Sequence, residues 1–137
     1  MTSTISHHTA LIYIMVLVSA ADRDMTDLEI STIGDIMRSL PIFRNYDWDH
    51  LAGDAESCAA LLESEEGLET VLGLVKEALP DRLCETAYAV SCDVAAADGK
   101  LKQEELRMLE MIRHKLDVGR LIAAAIERGV RARNATL

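Results

Sequence analysis

Asp22, Asp24 and Glu29 stand within eight residues of one another, in the stretch Ala20-Ala21-Asp22-Arg23-Asp24-Met25-Thr26-Asp27-Leu28-Glu29. That composition suits a hard cation, because Ca²⁺ and Mg²⁺ take oxygen ligands from carboxylates, carbonyls and water. Asp-x-Asp puts two carboxylates in one turn, and Glu29 follows in the first turn of the next helix. The loop is tighter than an EF-hand. The bidentate glutamate of an EF-hand comes at position 12 from the first aspartate, and Ile33 stands there in this chain. Three carboxylates completed by water predict weak binding.

A second copy lies 76 residues on, at Ala96-Ala97-Asp98-Gly99-Lys100-Leu101-Lys102-Gln103-Glu104-Glu105-Leu106. Both copies read small-small-Asp-x-x-apolar-x-x-x-Glu. In the second, Asp98 and Glu105 match, while Lys100 replaces the second carboxylate. Asp93 or Glu104 can add an oxygen there, or the Lys100 ammonium can take the cation's place. The same acids have a simpler use. Asp-Gly ends helices, and acids in a first turn favour the helix dipole. Thr26 and Glu29 also have capping-box spacing.

Each copy must be held by a pair of helices. Leu11-Ile12-Tyr13-Ile14-Met15-Val16-Leu17-Val18 is apolar on all sides and predicts a central buried helix over 9–21. From Thr26, apolar residues recur at helical spacing through Ile33, Ile36 and Met37 until Pro41. A loop follows over 43–49, then a helix from Asp49 or Asp54 through Leu62. A fourth helix is expected with Ser64 as its N-cap. Pro80 opens a fifth, which ends at Asp98-Gly99. The sixth runs from about Lys102 through Leu106, Leu109, Ile112 and Leu116. The seventh starts at Asp117 or Gly119 and carries the apolar residues Leu121, Ile122, Ala125, Ile126 and Val130. Ile14 aligns with Val90, Val18 with Val94 and Ile33 with Leu109, so the repeat covers whole hairpins.

The expectation is therefore an all-α, single globular domain of about seven helices. Two pseudo-symmetric helix–acidic turn–helix hairpins would form its core. Residues 1–8 read as a flexible segment, 9–130 as the domain and 131–137 as a frayed tail. The chain has 137 residues, half of them apolar, which is enough for a core. Its formal charge of −9 argues against nucleic acid or anionic lipid as a general partner. No apolar run reaches the roughly 20 residues of a transmembrane span. Cys58, Cys84 and Cys92 read as reduced thiols packed in a core, which suits a cytoplasmic protein. Thiol chemistry at Cys84 or Cys92 is the sharper alternative. His7-His8, His50 and His114 form no metal motif by spacing. Arginines crowd the last third of the chain while 47–69 holds acids and no Lys or Arg. Those are either two interaction faces or two solvated helix surfaces.

With these residues in view, the chain resembles the tellurite-resistance TerB family, including the TerB-like domain found beside J-domains in some co-chaperones. The resemblance is carried by Ala20-Ala21-Asp22-x-Asp24-Met25-x-x-x-Glu29 and Ala96-Ala97-Asp98-Gly99-x-Leu101-x-x-Glu104-Glu105, and by the Leu40-Pro41 stop. It runs from about Ala10 to Ile126. It implies an all-α domain, a role in resistance to tellurite and related stress, and metal binding through Asp22, Glu29, Asp98 and Glu105. Arg23 departs from the signature, where glycine is usual.

The expected function is a non-enzymatic, cytoplasmic stress-response domain. It would bind a divalent cation, Ca²⁺ or Mg²⁺, at its acidic corners. It would dock other stress-resistance or membrane-associated proteins, and through them sit at the inner membrane. A purely structural interaction module without metal is the alternative. A metal-dependent hydrolase is a third reading, but it lacks a nucleophile or a histidine base near either corner.

Overall fold

A computed structural model describes residues 4–22, 27–97 and 103–137. Among them are seven α-helices and no strand. The helices are α1 (His7–Ser19), α2 (Asp27–Arg38), α3 (Leu51–Leu62), α4 (Gly67–Ala78), α5 (Asp81–Ala96), α6 (Gln103–Lys115) and α7 (Arg120–Arg133). Short 3₁₀ turns occupy Ala20–Asp22, Pro41–Phe43 and Trp48–His50.

The core is built around α1. Every residue from Ala10 to Ser19 is buried. α2, α3, α4, α5 and α6 all pack against it. Five neighbours leave no solvent-facing side, which is why the helix is apolar around its whole circumference. The β-branched residues Ile12, Ile14, Val16 and Val18 are poor helix formers by propensity, and burial overrides that preference. The helix starts earlier than the sequence predicts. Ser6 is its N-cap, its Oγ accepting the Thr9 N–H at 3.1 Å, so His7 and His8 are helical.

Other boundaries also move. Ser64 does not cap α4; its hydroxyl donates to the Leu61 carbonyl, and the helix begins at Gly67. A Cβ at Gly67 would collide with the Leu61 carbonyl and come within 2.7 Å of Leu62 Cα, so only glycine fits the α3–α4 corner. Pro80 is the N-cap of α5. Asp117 does not start α7. It terminates α6 with φ 55°, a left-handed cap in which the Val118 N–H reaches the Arg113 carbonyl at 3.1 Å. Gly119 then caps α7. The tail is less frayed than expected: α7 is helical to Arg133, and the Asn134 side chain donates to the Val130 carbonyl at 2.8 Å.

α7 differs from the expected pattern in what it buries. It packs chiefly against α5. A single neighbour covers a narrow stripe, so Ala123 and Val130 are buried while Leu121 is 83% exposed and Ile122 and Ala125 also face outward. Leu106, part of the apolar pattern of α6, is 42% exposed. In α6 the buried positions are Glu105, Leu109 and Ile112, an i, i+4, i+7 stripe that starts with a carboxylate.

Candidate metal corners and a groove over α5

The first corner begins where α1 passes into the 3₁₀ turn Ala20–Asp22. Asp24, Thr26, Asp98 and Lys100, and the side chain of Asp22, lie outside the described residues. Glu29 is half-buried in the first turn of α2. In the second corner, Glu104 and Glu105 sit in the first turn of α6. Glu104 is exposed and Glu105 is only 8% exposed. Neither Glu29 nor Glu105 lacks an interaction partner. A buried carboxylate carries a large desolvation cost unless something compensates it. The N-terminal end of α6 supplies part of that compensation through its dipole and its unpaired N–H groups.

α6 packs against the turn Ala20–Asp22 as well as against α1, and α2 packs against α5. Each hairpin therefore touches the other's second helix. Asp93 is placed differently. It accepts a hydrogen bond from the Arg133 guanidinium at 2.9 Å and so faces α7. Among the described residues, no three His, Cys, Asp or Glu side chains cluster as a metal site.

The histidines serve the structure. His8 Nε2 lies 2.6 Å from the Ile42 carbonyl, and its ring stacks on Phe43 and meets the edge of Tyr46. Tyr46 donates to Asp54 at 2.8 Å and adjoins Trp48, which Arg38 covers. This aromatic cluster, unseen in the sequence pattern, fastens the start of α1 to the turns before α3. His50 pairs with Asp47 at 3.6 Å on the surface, and His114 contacts Arg113 at 3.1 Å.

All three thiols are free and buried. Burial pushes Cys58 and Cys92 up to about 12, and also raises Cys84. None is a thiolate at neutral pH, which removes the nucleophile that thiol chemistry needs.

A feature absent from the sequence reading lies between α6 and α7. Both helices pack on α5, leaving a groove of about 680 Å³ between them. Ala95, Ala96 and Cys92 of α5 floor it, with Leu106 and Leu109 on one wall and Val130 on the other. At one end Tyr88 donates to Glu127 at 2.6 Å. The signals that could have found it are the small residues Ala95 and Ala96 and the short apolar stripe of α7.

Among the described residues no helix is long and apolar enough to cross a membrane. Comparison with curated proteins and with solved structures finds no match. The model of the family described as tellurite resistance protein TerB matches residues 8–127, from α1 to the middle of α7. With nearly the whole helical fold covered, the chain belongs to the TerB family.

Proposed function

We propose that this TerB-family domain is a non-enzymatic module of the tellurite-resistance type that works in the cytoplasm. It binds a divalent cation where its acidic corners meet and offers the stiffened corner to partner proteins. The observation that supports this most is the packing of α6, with buried Glu105 in its first turn, against the turn that ends at Asp22. Carboxylates contributed by α2 and α6 would share a cation that neither corner would hold well alone. Glu29 and Glu105 fit the oxygen donors that Ca²⁺ and Mg²⁺ require, with Asp22, Asp24 and Asp98 as the further candidates. When bound, the cation would supply positive charge to compensate these acids and would tie α2 and α6 together. Glu104, exposed beside the corner, fits an outer role or a contact to a partner. Asp93 is committed to Arg133, which favours a structural role for it.

The purely structural reading draws on that same ion pair and on the absence of a three-ligand cluster among the described residues. A thermal melt of chelator-stripped protein against Ca²⁺, Mg²⁺, Mn²⁺ and Zn²⁺ separates the two. A cation at about 100 times its Kd stabilises the native state by about 2.7 kcal/mol. At about 2.1 cal/mol/K per residue, that raises Tm by roughly 9 °C for a chain of this length. The rise should vanish in Asp22→Asn/Glu29→Gln and shrink in Glu105→Gln. No response to millimolar cation would leave the corners as helix-capping architecture.

A further inference from the structure

The outer face of α7 uses none of the acidic-corner residues. Ala123 and Val130 are the buried positions of this helix, which packs chiefly on α5. At 3.6 residues per turn, Leu121, Ala125, Arg128 and Ala132 share the opposite side. All four are exposed, Leu121 by 83%. One bare leucine is ordinary, but a whole helix face that is apolar except for one arginine reads as a docking surface.

The charge on α7 limits what can cover that face. Arg133 is paired with Asp93, and Glu127, the one acid of the helix, accepts the Tyr88 hydroxyl of α5. Arg120, Arg128 and Arg131 form no ion pair among the described residues. Packing α7 on the α7 of another copy would set arginines against arginines. The face calls for an acidic counterpart.

The same chain supplies one. From Asp47 to Glu69 it has eight acids and no Lys or Arg. Asp47 is engaged by His50 and Asp54 by Tyr46, whereas Glu56 and Glu63 are exposed and form no ion pair among the described residues. These two glutamates border an outer face of α3 formed by Gly53, Ser57 and Ala60, all exposed. A glycine inside a helix weakens it. The packing of α3 does not demand Gly53, since a Cβ there would meet no atom within 4 Å. The missing side chain leaves room for another helix to approach closely. α3 packs on α1 and α4, and α7 chiefly on α5, so the acidic and basic faces do not cover each other within one molecule.

We propose that the outer face of α7 docks on the outer face of α3 of a second copy of the chain, in a head-to-tail contact. Leu121 seats over Gly53. Arg128, about 10 Å further along its helix, then lies beside Ala60, between Glu56 and Glu63. Each copy keeps one face of each kind free, so the contact propagates into a ring or a chain. Two short helix faces make a small interface, and the association is reversible, with a Kd of about 10 μM to 1 mM. At about 0.15 M salt the Debye length is about 8 Å, which screens the net charge of −9 across the molecule but not ion pairs in contact.

The test is sedimentation velocity with EDTA present, which keeps its outcome separate from that of the cation reading. The sedimentation coefficient of the wild type should climb with concentration up to about 1 mM. Arg128→Glu spoils only the α7 face, by setting a third carboxylate between Glu56 and Glu63. Gly53→Leu spoils only the α3 face, by filling the space under Leu121. Each should associate at least tenfold more weakly than the wild type. Both changes are at exposed positions, and circular dichroism melts should show the fold kept; Gly53→Leu should match or exceed the wild type, since leucine favours a helix and has room there. Mixed together, the two variants hold one intact pair of faces and should form a one-to-one dimer that grows no further. A wild type that stays monomeric to about 1 mM would overturn the proposal. So would a mixture that stays monomeric, or either variant associating as the wild type does, which would place the contact elsewhere.

Discussion

The buried thiols make the domain sensitive to alkali in a way that can be calculated. Cys58 is fully buried, its Sγ 3.7 Å from the Tyr13 carbonyl, and Cys92 is 5% exposed. Burial raises both from 9.0 to about 12. A group whose folded pKa is raised favours folding fully below its unfolded pKa, and that stability disappears as pH rises towards the folded value. The window is therefore pH 9 to 12. At pH 10 the unfolded thiol is mostly ionised and the folded one is not, which costs the native state about 1.4 kcal/mol per thiol. Two thiols lose about 2.8 kcal/mol relative to neutral pH, or roughly 10 °C in Tm for a chain of this length. The assay is a set of melts from pH 7 to 10 on the wild type and on Cys58→Ser/Cys92→Ser. Serine keeps a donor near the Tyr13 carbonyl but does not titrate in this range. The variant should start lower and fall less, the gap between the curves narrowing above pH 9. Other groups that titrate there are common to both proteins. Parallel curves would refute the reasoning, as would rapid reaction of these thiols with a disulfide reagent in the folded protein at pH 8.

Two further substitutions test the packing. Gly67→Ala should destabilise by about 1–3 kcal/mol, because its Cβ meets backbone at Leu61 and Leu62 that cannot swing aside; urea unfolding measures it, and a change within 0.5 kcal/mol would mean that the α3–α4 corner relaxes freely. Ile14→Ala, at a position with no exposure in the middle of α1, should cost about 2–5 kcal/mol with an unchanged m-value.

How far the sequence could be read follows from what each helix touches. α1 was legible because five neighbours demand apolar residues on every side, and the run Leu11–Val18 has no other use. The spacing of Leu109 and Ile112 likewise marks the inner face of α6. α7 was legible as a helix but not in its orientation. Its apolar residues outnumber the surface that a single neighbour covers, so Leu121 and Ile122 belong to its apolar pattern and yet lie outward. The sequence offers Gly119 or Asp117 as the start of α7; Gly119 is the cap, while the left-handed backbone of Asp117, a role usually given to glycine, makes it the stop of α6. The acidic repeat located the corners, and it cannot tell a cation ligand from a cap, because both uses place Asp and Glu in the same turns. What only the packing could supply is that α6 lies on the turn after α1. The groove was invisible for a related reason: it is a space left between helices that both favour α5.

The position of α1 ahead of all its packing partners in the chain has a consequence for biosynthesis. Its partners come later, and its major neighbour α5 is complete only at Ala96, 77 residues after Ser19. At translation rates of about 5–20 residues per second, the helix emerges roughly 4–15 s before α5 can cover it. During that interval the nascent chain displays the uncharged run from Leu11 to Val18, the stretch most liable to associate with other chains. The hairpin of α1 and α2 has few local contacts to hide it, so burial awaits long-range docking. The residue pattern that makes α1 the centre of the finished domain makes it, while synthesis lasts, a natural client for a chaperone.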